Sequence, residues 1–123
     1  MSNKRVVVTG IGPITPSGIG VQRFWDGLHS GRSPVAKVTR FDASPFRTTI
    51  AAQVHDFEPT DFMERQLSRR LDLFAQYAVA ATRAALDDAD LDTSTLDPGR
   101  VAVAVREILQ GPKAVLMKGP DHL

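Results

Sequence analysis

The apolar positions of this chain follow three different patterns, each predicting a different element. Lys4 to Gly10 (KRVVVTG) is a continuous β-branched run closed by a glycine, the pattern of a buried strand. From Val21 to Ser30, Phe24, Trp25 and Leu28 fall at helical spacing, and Gly31 stands where a helix ends on a left-handed residue. Residues 32–60 are punctuated by Ser33-Pro34, Ser44-Pro45 and Glu58-Pro59, which predicts loops around a short strand at Ile50 to Val54. The longest signal follows. Leu67, Leu71, Phe74, Ala78, Ala81, Ala85 and Ala89 recur at spacings of three and four, predicting a long amphipathic helix over 67–89. Its middle, Leu73 to Ala81, is apolar nearly all round and suits a buried helix packed on more than one side. Asp87, Asp88, Asp90 and Asp92 crowd its C-terminal end, where the helix dipole disfavours negative charge, so the helix should stop near Ala89. Asp97-Pro98-Gly99 reads as a turn, and Arg100 to Val105 as a second buried strand.

Strand, helix, long helix, strand is an α/β order. Two continuous apolar strands joined by a helical crossover predict a parallel sheet. Val6 to Val8 should lie beside Val101 to Val105, with the 67–89 helix covering one face. Between the first strand and the first helix, Gly10 to Gly20 holds four glycines and two prolines and is expected to be a structured loop.

Composition narrows the function. The chain has 123 residues, 42% of them hydrophobic and 24% charged, the balance of a soluble globular protein. Its formal net charge of +1 provides no long-range attraction to nucleic acid or anionic lipid, which favours a small-molecule or protein partner. There is no cysteine, so disulfides, thiolate metal sites and a cysteine nucleophile are excluded within these residues. Val6 to Val8 is too short for a signal-peptide core, and no stretch reaches the roughly 20 apolar residues of a membrane span, so a cytoplasmic protein is expected.

Candidate chemistry is sparse. A dinucleotide fingerprint requires G-x-G-x-x-G running into a helix; Gly10 and Gly12 fit, but Thr15 holds the third position. Pro13 and Pro16 also lack the N–H groups that a pyrophosphate would need. The series Asp88-x-Asp90-x-Asp92 resembles the start of a calcium loop, yet Thr93 and Gly99 stand where glycine and a bidentate glutamate are required. A solvated helix end is the better reading. His29, His55 and His122 are far apart and have no ligand-type neighbours at metal spacing. That leaves the basic cluster Arg65, Arg69 and Arg70, in which residues 65 and 69 lie one helical turn apart. On spacing alone it reads as a solvated face, with Arg65 to Asp61 or Arg69 to Asp72 as pairs.

Five segments stand in order along the chain: Arg5-Val-Val-Val-Thr-Gly-Ile-Gly-Pro-Ile-Thr-Pro-Ser-Gly, Phe24-Trp25-x-x-Leu28-x-x-Gly31-x-Ser33, Arg40-Phe41-Asp42, Asp56-Phe57-x-Pro59 and Arg69-Arg70-Leu71-Asp72-x-Phe74-x-Gln76-Tyr77-Ala78. In that order they resemble the first strand and loop, the first helix, the connecting segments and the long buried helix at the amino-terminal end of the type II 3-oxoacyl-[acyl-carrier-protein] synthases, the beta-ketoacyl synthases of the thiolase-like family. The resemblance covers residues 4–105, so residues 1–105 are expected to form a partial N-terminal domain of incomplete thiolase-like fold. In relatives a glycine-rich loop follows the second strand. Here Arg106-Glu107-Ile108 follows instead, and Lys118-Gly119-Pro120 resembles a later family segment, so 106–123 reads as an atypical tail after a deletion.

The resemblance implies a decarboxylative condensation in fatty-acid or polyketide chain elongation. A cysteine takes the acyl chain and two histidines act on the malonyl substrate, with both substrates carried on the phosphopantetheine of acyl carrier protein and no cofactor of the enzyme's own. None of those catalytic positions falls in this sequence, so the chain alone is expected to be inactive. The resemblance carries over Arg69 and Arg70, with Arg65 beside them, as part of a docking face for acyl carrier protein, and implies a homodimer. The rival readings are a non-catalytic protein that binds a full-length synthase or carrier protein, and a small nucleotide-binding α/β protein.

Overall fold

The computed structural model describes residues 4–104. The tail at 106–123, Val105 and His122 lie outside the described residues.

Extended backbone from Lys4 leads into a hairpin of β1 (Ile14–Thr15) and β2 (Gly18–Ile19), paired Ile14 with Ile19 and Thr15 with Gly18. The Thr15 hydroxyl donates to the Gly18 carbonyl at 2.9 Å across the Pro16-Ser17 turn. Helix α1 (Val21–His29) follows and packs on β2. It ends as its apolar spacing predicts. Ser30 N–H donates back to the Asp26 carbonyl at 2.9 Å, and Gly31 takes the left-handed φ of 63° that a side chain would resist. A second antiparallel pair, β3 (Val35–Lys37) with β4 (Ile50–Ala52), fills the proline-punctuated region, and β4 falls within the expected strand at 50–54. Two helices complete the order, α2 (Arg65–Ser68) and α3 (Leu73–Asp88), followed by single 3₁₀ turns at Thr93–Thr95 and Pro98–Arg100. In the last of these Asp97 accepts from Gly99 N–H at 3.0 Å, the expected Asp-Pro-Gly turn.

The architecture is organised around α3. Gly10 and Gly12 lie directly on its backbone: a Cβ at Gly12 would run into the Ala81 carbonyl oxygen and sit 2.6 Å from Ala85 N. A Cβ at Gly10 would run into the Ala85 carbonyl and come within 2.8 Å of Ala89 Cβ. Ala81, Ala85 and Ala89 lie one turn apart on a single face, so the alanine row and the glycines form one backbone-to-backbone contact. Ile11 N–H, between the glycines, donates to Asp88 Oδ2 at 2.9 Å. From the other side Arg40 Nη2 donates to the Val54 carbonyl at 2.8 Å and the Tyr77 hydroxyl at 3.1 Å. Phe57 stacks on Phe62 at 5.9 Å and meets Tyr77 edge-on at 4.8 Å. Arg83 Nη1 reaches the Phe62 carbonyl at 3.1 Å.

Among the described residues the predicted parallel sheet is not found. Both ladders are antiparallel hairpin-like pairs between neighbouring segments, and neither contains Val6 to Val8 or Val101 to Ala104. Those segments have no ladder partner among the described residues. Val6 and Val8 are 96% and 83% exposed, and Val103 is 76% exposed at the rim of a groove on α3 formed by Ala78, Val79, Thr82 and Leu86. The physical reason is that an apolar run states what a strand requires on its two faces, not that neighbours are present to supply it.

The long buried helix over 67–89 is also corrected. It is two helices broken at Arg69–Asp72, and α3 buries only Ala80 completely, with its remaining apolar positions half-buried or exposed. Its end at Asp88, with Ala89 as the cap, agrees with the expected stop.

Because the glycine–alanine contact leaves no room for a methyl group, Gly12→Ala should destabilise the fold by about 1–3 kcal/mol. Gly99→Ala, where the nearest atom to an added Cβ is 3.4 Å away, should stay within about 0.5 kcal/mol of wild type. Urea midpoints of the two variants check this, and equal midpoints would show that the approach to α3 is looser than described.

Candidate functional site

The basic cluster of the sequence falls on α2 and the joint that follows it. Glu64 enters in extended conformation, with ψ of 144°, and the chain then winds through one turn. Ser68 N–H donates to the Glu64 carbonyl at 3.0 Å, Arg69 N–H to the Arg65 carbonyl at 3.3 Å, and Arg70 N–H to the Leu67 carbonyl at 3.0 Å. Ser68 Oγ adds a bond to the Arg65 carbonyl at 3.0 Å. Asp72 then returns to extended backbone, ψ 157°, and restarts the chain as α3. Aspartate is a residue favoured at that position.

One side chain from α3 holds the joint closed. Gln76, half-buried, donates through Nε2 to both the Ser68 carbonyl at 2.8 Å and the Leu71 carbonyl at 2.9 Å. Those are carbonyls that the helix break leaves without intrahelical donors. Beneath the joint, Met63 is buried and the aromatic group of Phe57, Phe62 and Tyr77 fixes the incoming loop to α3.

Arg65, Arg69 and Arg70 are all exposed. The structure therefore brings the three sequence-predicted residues together on a single turn open to solvent. Arg65 acts on Glu58, whose carboxyl is held below its ordinary range. The largest cause is the hydrogen bond from the Thr60 hydroxyl at 2.7 Å, then the Thr60 N–H at 3.2 Å, with the Arg65 charge adding to both. A depressed carboxylate of this kind favours the fold above its ordinary titration range and loses that contribution as pH falls through the lowered value.

Two other arginines near the same helices, also exposed, are bonded to the fold itself. Arg40 and Arg83 spend their fixed N–H forks on carbonyls and a hydroxyl. Sequence reasoning gave neither a role, and it gave Gln76 none beyond membership of a motif. For Arg83 the available signal was a lone cation within the alanine-rich stretch of α3.

The remaining candidates do not converge. Gly10 and Gly12 lie along α3, Ile11 N–H is already bonded to Asp88, and a hairpin separates these glycines from the start of α1. Asp88 therefore anchors the N-terminal segment, while Asp92 caps the next turn. The Ser94 hydroxyl and amide hold the Asp92 carboxyl below its ordinary range. His29 closes α1, and His55 faces Arg23 and Asp56 across a small polar cavity. No group of three or more His, Cys, Asp or Glu side chains is placed to hold a metal among the described residues. No helix of the described residues is long and apolar enough to cross a membrane.

Comparison with known proteins gives a consistent result. The family model described as the beta-ketoacyl synthase N-terminal domain matches residues 3–107. The 3-oxoacyl-[acyl-carrier-protein] synthase 2 of Synechocystis sp. is 37% identical over 129 residues, covering 99% of this chain and 31% of its own length. The enzyme of the same name from Coxiella burnetii is 41% identical over 130 residues, covering 100% of this chain and 31% of its own. The granaticin polyketide putative beta-ketoacyl synthase 1 of Streptomyces violaceoruber is 47% identical over 104 residues, 83% of this chain and 24% of its own. Among solved structures, the ishigamide ketosynthase/chain length factor superposes with a TM-score of 0.60 at 40% identity, over 73% of this chain and 22% of its own. The chain thus spans less than a third of the length of these relatives.

If Gln76 holds the basic turn in shape, Gln76→Leu should free the Ser68 and Leu71 carbonyls and loosen residues 65–72 without unfolding α3. Amide hydrogen exchange at Arg69 and Arg70 should accelerate by about tenfold, the equivalent of one lost hydrogen bond. Unchanged exchange at both amides would remove Gln76 from this role.

Proposed function

The chain belongs to the beta-ketoacyl synthases, and we propose that it supplies part of the scaffold and part of the carrier-protein docking face of a 3-oxoacyl-[acyl-carrier-protein] synthase. The observation that carries the docking reading is the exposure of Arg65, Arg69 and Arg70 on one short turn whose shape is held from beneath by Gln76. A rigid cluster of guanidinium groups suits an acidic partner, because it steers encounter at long range and fixes orientation at contact. The partner is acyl carrier protein bearing its phosphopantetheine-linked acyl group, and the enzyme brings no cofactor of its own.

In the reaction proposed for the whole enzyme, a thiolate attacks the acyl carbonyl of the carrier's thioester, takes the acyl group and releases the carrier's phosphopantetheine thiol. Malonyl-carrier protein loses CO₂, and the resulting enolate carbon attacks the bound acyl carbonyl and expels the thiolate. An oxyanion site must hold the tetrahedral charge on the way. This sequence has no cysteine to provide the thiolate, and the docking turn and its supports are this chain's part in the process. The enzyme acts as a homodimer. Relatives named as 3-oxoacyl-[acyl-carrier-protein] synthases and as a polyketide beta-ketoacyl synthase both match this chain, and the reading holds for either branch.

Reversing the two central charges tests the docking reading. Arg69→Glu with Arg70→Glu should weaken binding to acyl carrier protein by about tenfold, the sum of two exposed ionic contacts, and flatten the salt dependence of Kd. An unaltered Kd and salt slope would overturn it.

The catalytic part is checked on the purified 123-residue chain. Acyl transfer from acyl carrier protein should be absent, and size-exclusion chromatography should show association through the exposed valines at 6–8. Turnover above background, or a cooperatively melting monomer, would overturn the respective half.

A further inference from the structure

We propose that the open cavity between the β1–β2 turn, α1 and the loop after β4 binds a small zwitterion, an α-amino acid with a short apolar side chain. Three segments far apart in sequence meet there. The hairpin turn provides one wall, Arg23 of α1 the second, and His55 with Asp56 the third. The cavity holds about 210 Å³, the space of about seven waters in the liquid. Sites for drug-sized ligands run to roughly 300–1,000 Å³, so this one has room for a small metabolite and not for a nucleotide.

The walls are positioned by contacts outside the cavity. A Cβ on Gly27 would run into the Ser17 carbonyl, and a Cβ on Gly18 would run into the Arg23 carbonyl, so the turn is pressed onto α1 at two points. The Thr15 hydroxyl closes the same turn on the Gly18 carbonyl at 2.9 Å. On the opposite wall Asp56 takes a left-handed φ of 57°, a conformation that aspartate tolerates better than most side chains. Its neighbour Phe57 is fixed by Phe62 and Tyr77.

The charges decide what fits between these walls. Arg23 offers a planar fork of donors matched to a carboxylate, and Asp56 offers acceptors matched to an ammonium group. Among the described residues neither side chain is hydrogen-bonded to the protein, in contrast to Arg40 and Arg83. A plain anion meets the charge of Asp56, and a plain cation meets that of Arg23. A molecule carrying both charges is attracted by both walls. Pro16 and Ile19 supply apolar surface for a short side chain, and Ser17 and His55 add groups that donate or accept. None of these residues belongs to the basic turn at 65–70, so the site stands apart from the docking reading. Arg23, His55 and Asp56 are exposed, so solvent screens the contacts and a Kd of about 1 mM is expected.

Saturation-transfer NMR, observed on the ligand, tests this with the 123-residue chain and is insensitive to its association. Transfer to the methyl signal of L-alanine should saturate with a Kd of about 1 mM. Propionate is alanine without its ammonium group, and ethylamine is alanine without its carboxylate. Each should bind about tenfold more weakly than alanine, and inorganic phosphate should not displace alanine. Arg23→Gln and Asp56→Asn should each weaken alanine binding about tenfold with the far-ultraviolet circular dichroism unchanged, since asparagine accepts the same left-handed backbone. No transfer to alanine, propionate or ethylamine binding as well as alanine, displacement by phosphate, or wild-type affinity in the folded variants would each overturn the proposal. The comparison of alanine with its two single-charge analogues uses the wild-type chain alone, so it decides the question even where a variant fails to fold.

Discussion

The contact on which the other elements depend is the one between Gly10, Gly12 and the backbone of α3. Two main chains can approach this closely only where both lack bulk, so glycine on one side and alanine on the other form a single requirement. Alanine at 81, 85 and 89 also carries the highest helix propensity, so the row that clears space for the N-terminal segment costs α3 nothing in stability. Ile11 N–H to Asp88 then sets the position of the segment along the helix, turning an acid that the helix dipole disfavours into an anchor. The hairpin and α1 follow directly from this segment, so their placement depends on the same contact.

How much of this could be read from the sequence differs by element, for physical reasons. Helix α1, its termination at Gly31, the Asp-Pro-Gly turn and the end of α3 were all legible, because each is governed by residues within a turn of one another. The division of 67–89 into two helices was not. Leu67, Leu71 and Phe74 keep their three-and-four spacing across the break, although Asp72 is extended there. Periodicity records the spacing and misses the backbone bonds. The absent bonds at the joint are replaced by an amide from Gln76, several residues along, which no local pattern records. The parallel sheet is not found among the described residues for a different reason: β-branched runs specify demand for cover and do not name the strand that supplies it.

The candidate site shows the same division. Five arginines lie on or beside the two helices, all of them exposed, and their identity in sequence does not separate those bonded to neighbouring segments from those of the basic turn. Arg40 and Arg83 are drawn to carbonyls and a hydroxyl that would otherwise lack donors, and there the planar fork is satisfied by the protein. Arg65, Arg69 and Arg70 are exposed on and beside the single turn of α2. Spacing predicted the grouping of 65 with 69. What it could not give was the pair of Gln76 bonds that brace the turn, because they come from another helix.

The exposed valines set a second scale for the whole molecule. Val6, Val7 and Val8 are 96%, 72% and 83% exposed, and full cover of a valine contributes about 1.5–3 kcal/mol. Three together approach the 5–15 kcal/mol that is the entire stability of an ordinary domain. The described contacts of α3 hold the N-terminal segment in place through glycines that bury little apolar surface themselves, while the residues best able to contribute burial energy face solvent. The contact that fixes the geometry and the contact that would supply most of the stability are therefore different contacts. Close approach at Gly10 and Gly12 selects where the valine segment runs, and whatever surface covers Val6 to Val8 determines how strongly that arrangement is held. A covering surface therefore stabilises the hairpin, α1 and α3 as well, because all three are registered through the same segment.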